Sequence, residues 1–399
     1  MDISDTISEE RLHNSLILVV DDIELNHKML THSLNAKGYT NIIVAEDGSQ
    51  ALQMTQEMKP DLVILDLMMP VMDGFSYCQA IRQDRAYDDM PILVQTALED
   101  IDKKLRAFDL GASDYICKPV DPQELAARTR VHLTQKLLMQ DLRTYRRKMT
   151  AELEAAKLMQ TRLMPGAQHI QMCERVYNMG IGSHFETSSH LGGDCWGMRP
   201  LSDHRLAIWM YDFSGHGMTA AMNVFRMHTI MQEIAHDGID PGTFLSTLNR
   251  HLHSLLESDE FATMFYGIID TDANCLLYST AASPPAVLHT SAEPEPVLIH
   301  GRGFPMGVVS NASYETQYTP FTINDMLLLY SDCLIETKNK HGEYITEQYL
   351  KTLISASMNE SQENPARHVV DLLKQLLHTH QPDSIDDDIT INAYWRRPE

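Results

Sequence analysis

Between residues 16 and 117, short apolar runs alternate with segments whose apolar positions recur every three to four residues. The runs 16–20, 42–45, 62–65, 92–95 and 115–117 predict strands, and helical segments between them predict a parallel sheet covered on both faces. After Asp121–Pro122, a pair that starts helices, no proline occurs before Pro165 and no glycine before Gly166, which predicts one long helix. Along it Leu138, Leu142, Tyr145, Met149, Glu152, Ala156, Met159 and Leu163 step alternately by four and three, and only Glu152 is out of keeping with a buried seam. That is a heptad stripe of about four repeats. A parallel coiled-coil dimer satisfies it, and so does a helix that lays its stripe on its own domains; either lets the helix transmit a change of state. Beyond Pro165 the β-like runs lengthen, at 206–211, 263–269, 276–280, 326–330 and 389–394, with helical blocks near 218–257 and 346–378. This order predicts antiparallel sheets covered by helix pairs.

A chain of 399 residues is too long for one ordinary core, so two domains and a connector are expected. The balance of 55 acidic against 32 basic residues leaves a net charge of −23, which opposes nucleic acid and anionic membrane as partners and suits a collector of metal cations. Cys78, Cys117, Cys173, Cys195, Cys275 and Cys333 are scattered without C-x-x-C or framework spacing, so neither disulfides nor a structural zinc is suggested. Residues 1–14 are polar and acidic, and no run of about 18 apolar residues occurs. The expectation is a soluble cytoplasmic protein.

Functional groups of parallel sheets gather beyond the carboxyl ends of the strands. There the chain places Asp21 and Asp22 after the first strand, Asp66 at the end of the third, Thr96 after the fourth and Lys118 after the fifth. Three carboxylates can ligate Mg2+, which prefers hard oxygen ligands. Asp66 is placed as nucleophile toward a phosphoryl group, Lys118 to pair with the added charge, and Thr96 to hydrogen-bond a phosphoryl oxygen. Taken singly, two aspartates after a strand are a helix cap and Lys118–Pro119 is a turn.

The ordered set VVDD, LDLMMPVMDG, QTA and YICKP makes residues 15–133 resemble a two-component response-regulator receiver domain of the flavodoxin-like doubly wound (βα)5 class. The resemblance implies Asp66 as phosphoacceptor, Asp21 and Asp22 as acidic-pocket residues, and the Met68 carbonyl as a further Mg2+ ligand. It implies Thr96 as switch residue, Lys118 as phosphate contact, and Tyr115 as the aromatic that reports phosphorylation; a plain core tyrosine is the other reading of Tyr115. The stretch 152–165 also resembles the signalling helix before the phosphatase domain of bacterial environmental-stress regulators, which implies a switch element over the coiled-coil linker, 134–165.

Acidic residues again mark strand ends in the last domain: Asp194 after Gly192–Gly193, Asp212 in YDFSGHG, Asp332 in LLLYSDCLIE and Asp387 in DDDIT. Each alone reads as a turn or cap residue. Aspartates without accompanying His or Cys favour Mg2+ or Mn2+ over zinc. Two such ions roughly 3.5–4 Å apart can activate a bridging water and clamp a phosphate, so no side-chain nucleophile is needed. The SGHG turn permits close backbone approach, which makes the Phe213 carbonyl a candidate ligand; a glycine helix entry is the plainer reading.

The motifs LGGD, DFSGHGMTAA, ATMFYG, GFPMG, NDMLLLYSD and DDIT together resemble the PPM-type serine/threonine phosphatase domain of the RsbU/SpoIIE group, over 166–399. The resemblance implies an αββα sandwich with Asp194, Asp212, Asp332 and Asp387 as ligands of two Mn2+ or Mg2+. Three positions depart from the family: Ser283 stands in Ala-Ala-Ser-Pro-Pro where A-G-H-P-P is usual, Cys333 where Gly follows the third aspartate, and Gly197 where an acidic residue is frequent. None removes a metal ligand; they bear on substrate-loop geometry and turnover. His216 is read either as a contact to phosphate or water, or as a structural histidine. The pairs His251/His253 and His378/His380 stand two apart on helical segments, do not share a face, and are read as surface residues.

The whole then reads as a response regulator whose output is a phosphatase. A sensor histidine kinase or phosphotransfer protein would donate to Asp66, and a phosphorylated STAS-type anti-sigma-factor antagonist would be the substrate of a chain dimerised through its linker. The rival is a non-catalytic adaptor that binds a sigma factor or anti-sigma protein under receiver control; relatives of that kind have lost metal aspartates, and this chain keeps them. A DNA-binding output is opposed by the acidic charge and the lack of a basic recognition helix.

Overall fold

The structure, a computed structural model, describes residues 7–97, 101–215, 217–234, 238–257, 259–293, 295–338, 342, 344–360, 363–380 and 387–398. The chain divides into two compact units, Met1–Met149 and Thr150–Glu399.

In the first unit the strands are β1 Ile17–Val20, β2 Ile42–Ala45, β3 Leu62–Asp66, β4 Ile92–Ala97 and β5 Asp114–Lys118. All pair in parallel, in the order β2-β1-β3-β4-β5, and Ile17 stands opposite Ile42 on one side and Leu62 on the other. Alternate residues feed two cores. Leu18, Val20, Val63 and Leu65 pack with Phe75, Tyr77 and Ile81. Ile17, Val19, Leu62 and Ile64 pack with Leu30, Leu34, Leu125 and Leu133. Both faces are covered, so every residue of β1 and β3 is buried. This is why such strands read as unbroken apolar runs.

Residues 7–14 do more than their polarity suggests. A short helix, Glu9–His13, buries Leu12, and Ile7 joins it in the second core. Its charges pair with the long helix, Arg11 with Asp141 at 2.7 Å and Glu9 with Arg130 at 2.5 Å. Lys136 pairs with Asp61 at 2.8 Å and Arg143 with Asp89, so this stretch of the connector is tied down on both sides.

The connector is one helix, Pro122–Thr161, begun by the Asp121 carboxylate, which accepts from the N–H groups of Gln123 and Glu124. It stops at Thr161, so Leu163 lies in the turn beyond it and the helical part of the stripe ends at Met159. Along the stripe Leu138 packs on the second core of the first unit and Leu163 on the core of the second, whereas Leu142, Tyr145 and Met159 are exposed by 60%, 64% and 62%.

The second unit holds β6 Met179–Glu186, β7 Asp194–Pro200, β8 Arg205–Phe213, β9 Ala262–Asp270, β10 Cys275–Ala281, β11 Ala286–His289, β12 Val297–Ile299, β13 Gln317–Pro320, β14 Met326–Tyr330 and β15 Ile389–Arg396. They form two antiparallel sheets, β13-β10-β9-β8-β7 and β12-β11-β14-β15-β6. The helices Met218–Glu233 and Pro241–His253 cover the first sheet, and Glu347–Asn359 and Pro365–His380 the second, giving the αββα sandwich. Each helical block is a pair of helices. In the first block Asp240 caps a new start, accepting from the N–H groups of Gly242 and Thr243, with Pro241 in its first turn.

Candidate functional site

The first unit brings its acidic set together at the carboxyl edge of the sheet. One oxygen from each of Asp21, Asp22 and Asp66 lies within 4.8 Å of the others. Asp21 and Asp66 are buried and Asp22 is exposed. Lys118 Nζ bridges the two buried carboxylates, at 2.7 Å from Asp66 Oδ2 and 3.3 Å from Asp21 Oδ2. Asn26 Nδ2 donates to both oxygens of Asp21, at 2.9 and 3.0 Å, and the Ile23 N–H donates to Oδ1 at 3.0 Å. Burial pushes Asp66 above the ordinary carboxylate range, an effect that the Lys118 ammonium opposes. Asp66 Oδ2 is thus committed to lysine, while Oδ1 receives only the Met68 N–H at 3.4 Å and is the freer oxygen. Thr96 is buried at the edge of β4, with its hydroxyl 3.5 Å from the Ala97 carbonyl. The Tyr115 ring is half-buried, edge-on to Phe108 with Lys104 Nζ 4.6 Å from its centroid. The Lys118–Pro119 peptide is cis.

In the second unit β7 and β8 run antiparallel with Asp194 directly opposite Asp212. Both line a narrow cleft with Thr263, Ser283 and Asp332. Burial, then the neighbouring Asp212, raises Asp194 well above the usual carboxylate range. Burial, then Asp332, pushes Asp212 up to about 8, an effect that its hydrogen bond with Asp194 opposes. Asp332 is raised too, by burial and then by Glu336. Thr390 donates its hydroxyl to Asp194 Oδ2 at 2.7 Å. These carboxylates repel one another, and a set of carboxylate oxygens fits hard divalent cations, whose charge would offset the repulsion. Among the described residues no three of them are as tightly grouped as the trio of the first unit.

Asp387 and Asp388 divide their work. Asp387 is exposed, whereas Asp388 is buried and accepts from the Gly193 N–H at 2.6 Å and from the Ser188 N–H at 2.9 Å and hydroxyl at 3.2 Å. Sequence reasoning missed Asp388, whose signal was its place beside Asp387 in the same motif. It also missed why the glycines precede Asp194: a Cβ on Gly192 would lie 2.0 Å from Asp388 Oδ2, and one on Gly193 would lie 2.7 Å from the Phe213 carbonyl oxygen. That closeness brings the Phe213 carbonyl to the acidic cluster.

Each departure has a physical setting. A Cβ on Gly197 would meet the Trp209 ring at 2.4 Å, so the tryptophan across the strand pair occupies the space an acidic side chain would need. Cys333 is buried, with Sγ 3.4 Å from the Asp387 carbonyl and 3.7 Å from Thr337 Oγ1. Ser283 Oγ is buried without a hydrogen-bond partner among the described residues. His216 lies outside the described residues, as does the side chain of His380; His251, His253 and His378 are exposed.

Residues 17–130 match the family model of the response regulator receiver domain, and residues 202–396 match that of stage II sporulation protein E (SpoIIE). Among curated proteins the chain is similar to the DNA-binding dual master transcriptional regulator RpaA of Synechocystis, 40% identical over 117 residues, which are 29% of this chain and 48% of that one. It is also similar to the alkaline phosphatase synthesis transcriptional regulatory protein PhoP of Bacillus subtilis, 41% identical over 120 residues, 30% of this chain and 49% of that one. The chain thus spans about half the length of these relatives. Among solved structures the SiaA-PP2C domain of Pseudomonas aeruginosa shares the fold, with a TM-score of 0.55 and 17% identity over 64% of this chain and 99% of that one.

Proposed function

Because the chain belongs to the response regulators that carry a SpoIIE-type phosphatase domain behind the receiver, we propose that phosphorylation of Asp66 controls metal-dependent hydrolysis of a phosphoserine or phosphothreonine protein. The substrate we propose is a phosphorylated STAS-type anti-sigma-factor antagonist, and the setting is the cytoplasm; no helix of the described residues is long and apolar enough to cross a membrane. The domains run over 15–133 and 166–399, with the linker at 134–165.

A sensor histidine kinase or phosphotransfer protein serves as donor. Asp66 Oδ1, the oxygen not held by Lys118, attacks phosphorus, and the P–N bond to the donor imidazole breaks as the P–O bond forms. Asp21, Asp22, Asp66 and the Met68 carbonyl would hold Mg2+, whose charge offsets that of the incoming phosphoryl group. Lys118 then pairs with the acyl phosphate and Thr96 hydrogen-bonds it, while the half-buried Tyr115 ring reorients away from Phe108 and Lys104.

In the second unit Asp194, Asp212, Asp332, Asp387 and the Phe213 carbonyl would hold two Mn2+ or Mg2+. Bound there, the ions supply a water of lowered pKa and neutralise the substrate phosphate. The chain's own residues shape the cleft that admits the phosphorylated side chain: Thr390 fixes Asp194 and Asp388 holds the Gly193 peptide. Water oxygen bonds to phosphorus, the P–O bond to the serine or threonine breaks, and its oxygen recovers a proton.

The observation that carries the reading is the pair of carboxylates Asp194 and Asp212, opposed across β7 and β8 in one cleft with Asp332. Phosphate release from a phosphoserine protein with Mn2+ tests it, against Asp212→Ala and Asp332→Ala. A fall of about 100-fold or more is expected in each variant. Equal rates in all three proteins would replace the enzyme with the adaptor.

A further inference from the structure

The turn after β10 is pinned on both sides of Ser283. Ala282 has φ +52°, in the left-handed region that disfavours a side chain, at the position where the A-G-H-P-P pattern has glycine. A neighbouring loop holds it there: the Ala282 N–H donates to the Gly303 carbonyl at 3.0 Å, and Gly303 lies so close to β10 that a Cβ on it would be 2.0 Å from the Thr280 carbonyl oxygen. On the other side Pro284 and Pro285 follow, and a residue before proline is held to extended backbone. Strained backbone persists where its surroundings over-determine it, and such places concentrate at functional sites.

The pinned turn brings Ser283 to the cleft. Asp194, Asp212 and Thr263 stand in one cross-strand row over β7, β8 and β9, and Ser283 lines the same cleft. Among the described residues that line it, none has a cationic side chain, so an anion would have to find hydroxyl donors. Ser331 Oγ is engaged, donating to the Asp388 carbonyl at 3.2 Å and accepting from the Thr390 N–H at 3.0 Å. The Tyr211 hydroxyl donates to the Val224 carbonyl at 3.4 Å, and the Tyr330 ring belongs to the core under helices Glu347–Asn359 and Pro365–His380. Ser283 Oγ is different: it is shielded from water and bonds neither to the carboxylates of the cleft nor to the backbone. A buried donor without a partner is costly, and an acceptor oxygen entering the cleft relieves that cost. We propose that Ser283 is a substrate-contacting residue whose hydroxyl donates to a phosphoryl oxygen of the phosphorylated side chain. This deepens the functional reading and rests on it for the identity of the ligand. The turn keeps the backbone still, while rotation about the single Cα–Cβ bond carries Oγ among three staggered positions to meet the acceptor. Serine is a neutral donor where the pattern has histidine, so the contact does not titrate near neutral pH.

The test uses the full chain, with inorganic phosphate as the probe, in wild type, Ser283→Ala and Ser283→Thr. Trp196, Trp209 and Trp395 are the chain's only tryptophans and all lie in the second unit, so their fluorescence during titration with Mn2+ and then phosphate reports that unit alone. The Mn2+ concentration at half saturation is expected to be equal in the three proteins, because the proposal gives Ser283 no part in holding the cation. The phosphate concentration at half saturation of the Mn2+-loaded protein is expected to rise about tenfold in Ser283→Ala, and to stay within about twofold of wild type in Ser283→Thr, which keeps the hydroxyl. The melting temperature of metal-free Ser283→Ala is expected to match or exceed that of wild type, since the substitution deletes an unpaired donor; a hydroxyl with a structural role would lower it. Equal phosphate affinity in wild type and Ser283→Ala, with Mn2+ bound to both, would overturn the inference alone. A loss in Ser283→Thr as large as in Ser283→Ala, or a lowered melting temperature in Ser283→Ala, would overturn it too. Failure of Mn2+ to bind wild type would instead sink the metal reading of the cleft, and the inference would fall with it.

Discussion

Asp66 is a buried carboxylate and Asp212 a half-buried one, and their surroundings give them opposite needs. Asp66 has the Lys118 ammonium at 2.7 Å to offset its charge, and it shares that lysine with Asp21. Asp66→Asn is expected to abolish labelling by acetyl phosphate, read as loss of the shifted band on a phosphate-affinity gel; a band that persists would move the phosphoacceptor elsewhere. Asp212 has only other carboxylates, and its pKa of about 8 lies far above that of an unfolded aspartate, about 3.9. A group with a raised folded pKa contributes stability that is complete below the unfolded pKa and lost as pH climbs through the folded one. The melting temperature of the metal-free chain is therefore expected to fall between about pH 4 and pH 8, and to fall less in Asp212→Asn. Mn2+ binding near neutral pH should release protons, seen as a calorimetric heat that depends on the buffer. Equal slopes in wild type and variant would contradict this account of Asp212.

Elements were legible in the sequence where a single physical signal dominated them. The strands β1 and β3 are buried on both faces, so their apolar runs could be read directly. The connector was readable from the absence of Pro and Gly. β7 was not, because DCWGMRP mixes a charge, a glycine and an arginine, and its fit depends on Trp209 crossing over Gly197 from β8. β6 hid behind the glycines of MGIGSHFE, one of which, Gly182, lies so close to helix Pro365–His380 that its Cβ would be 2.2 Å from the Ala366 carbonyl. The aspartates at strand ends were visible as motifs. Their support Asp388 was not, since nothing in a one-dimensional pattern says that a polar side chain is buried against a distant loop. The Gly197 packing makes its own prediction: Gly197→Glu, which restores the acidic residue frequent in the family, should evict the Trp209 ring. The expected loss is about 1–3 kcal/mol, measured by denaturant unfolding; unchanged stability would show that the sheet edge yields freely.

At the scale of the molecule, exposed Leu142, Tyr145, Met149 and Met159 leave an apolar stripe on the connector that a second copy can cover. Each copy carries a net charge of −23, so association is expected to strengthen as salt screens the repulsion. Light scattering should give a dimer mass that halves in the double variant Leu142→Glu, Tyr145→Glu; a wild-type mass of one chain, with and without beryllofluoride, would remove dimerisation from the mechanism. The direct opposition of Asp194 and Asp212 has a further effect on how the chain matures. A slip of one residue between β7 and β8 would send one carboxylate to the far side of the sheet and dissolve the pair. A cation that needs this pair would bind only the aligned chain, and mass action would then draw the population toward the correctly assembled form.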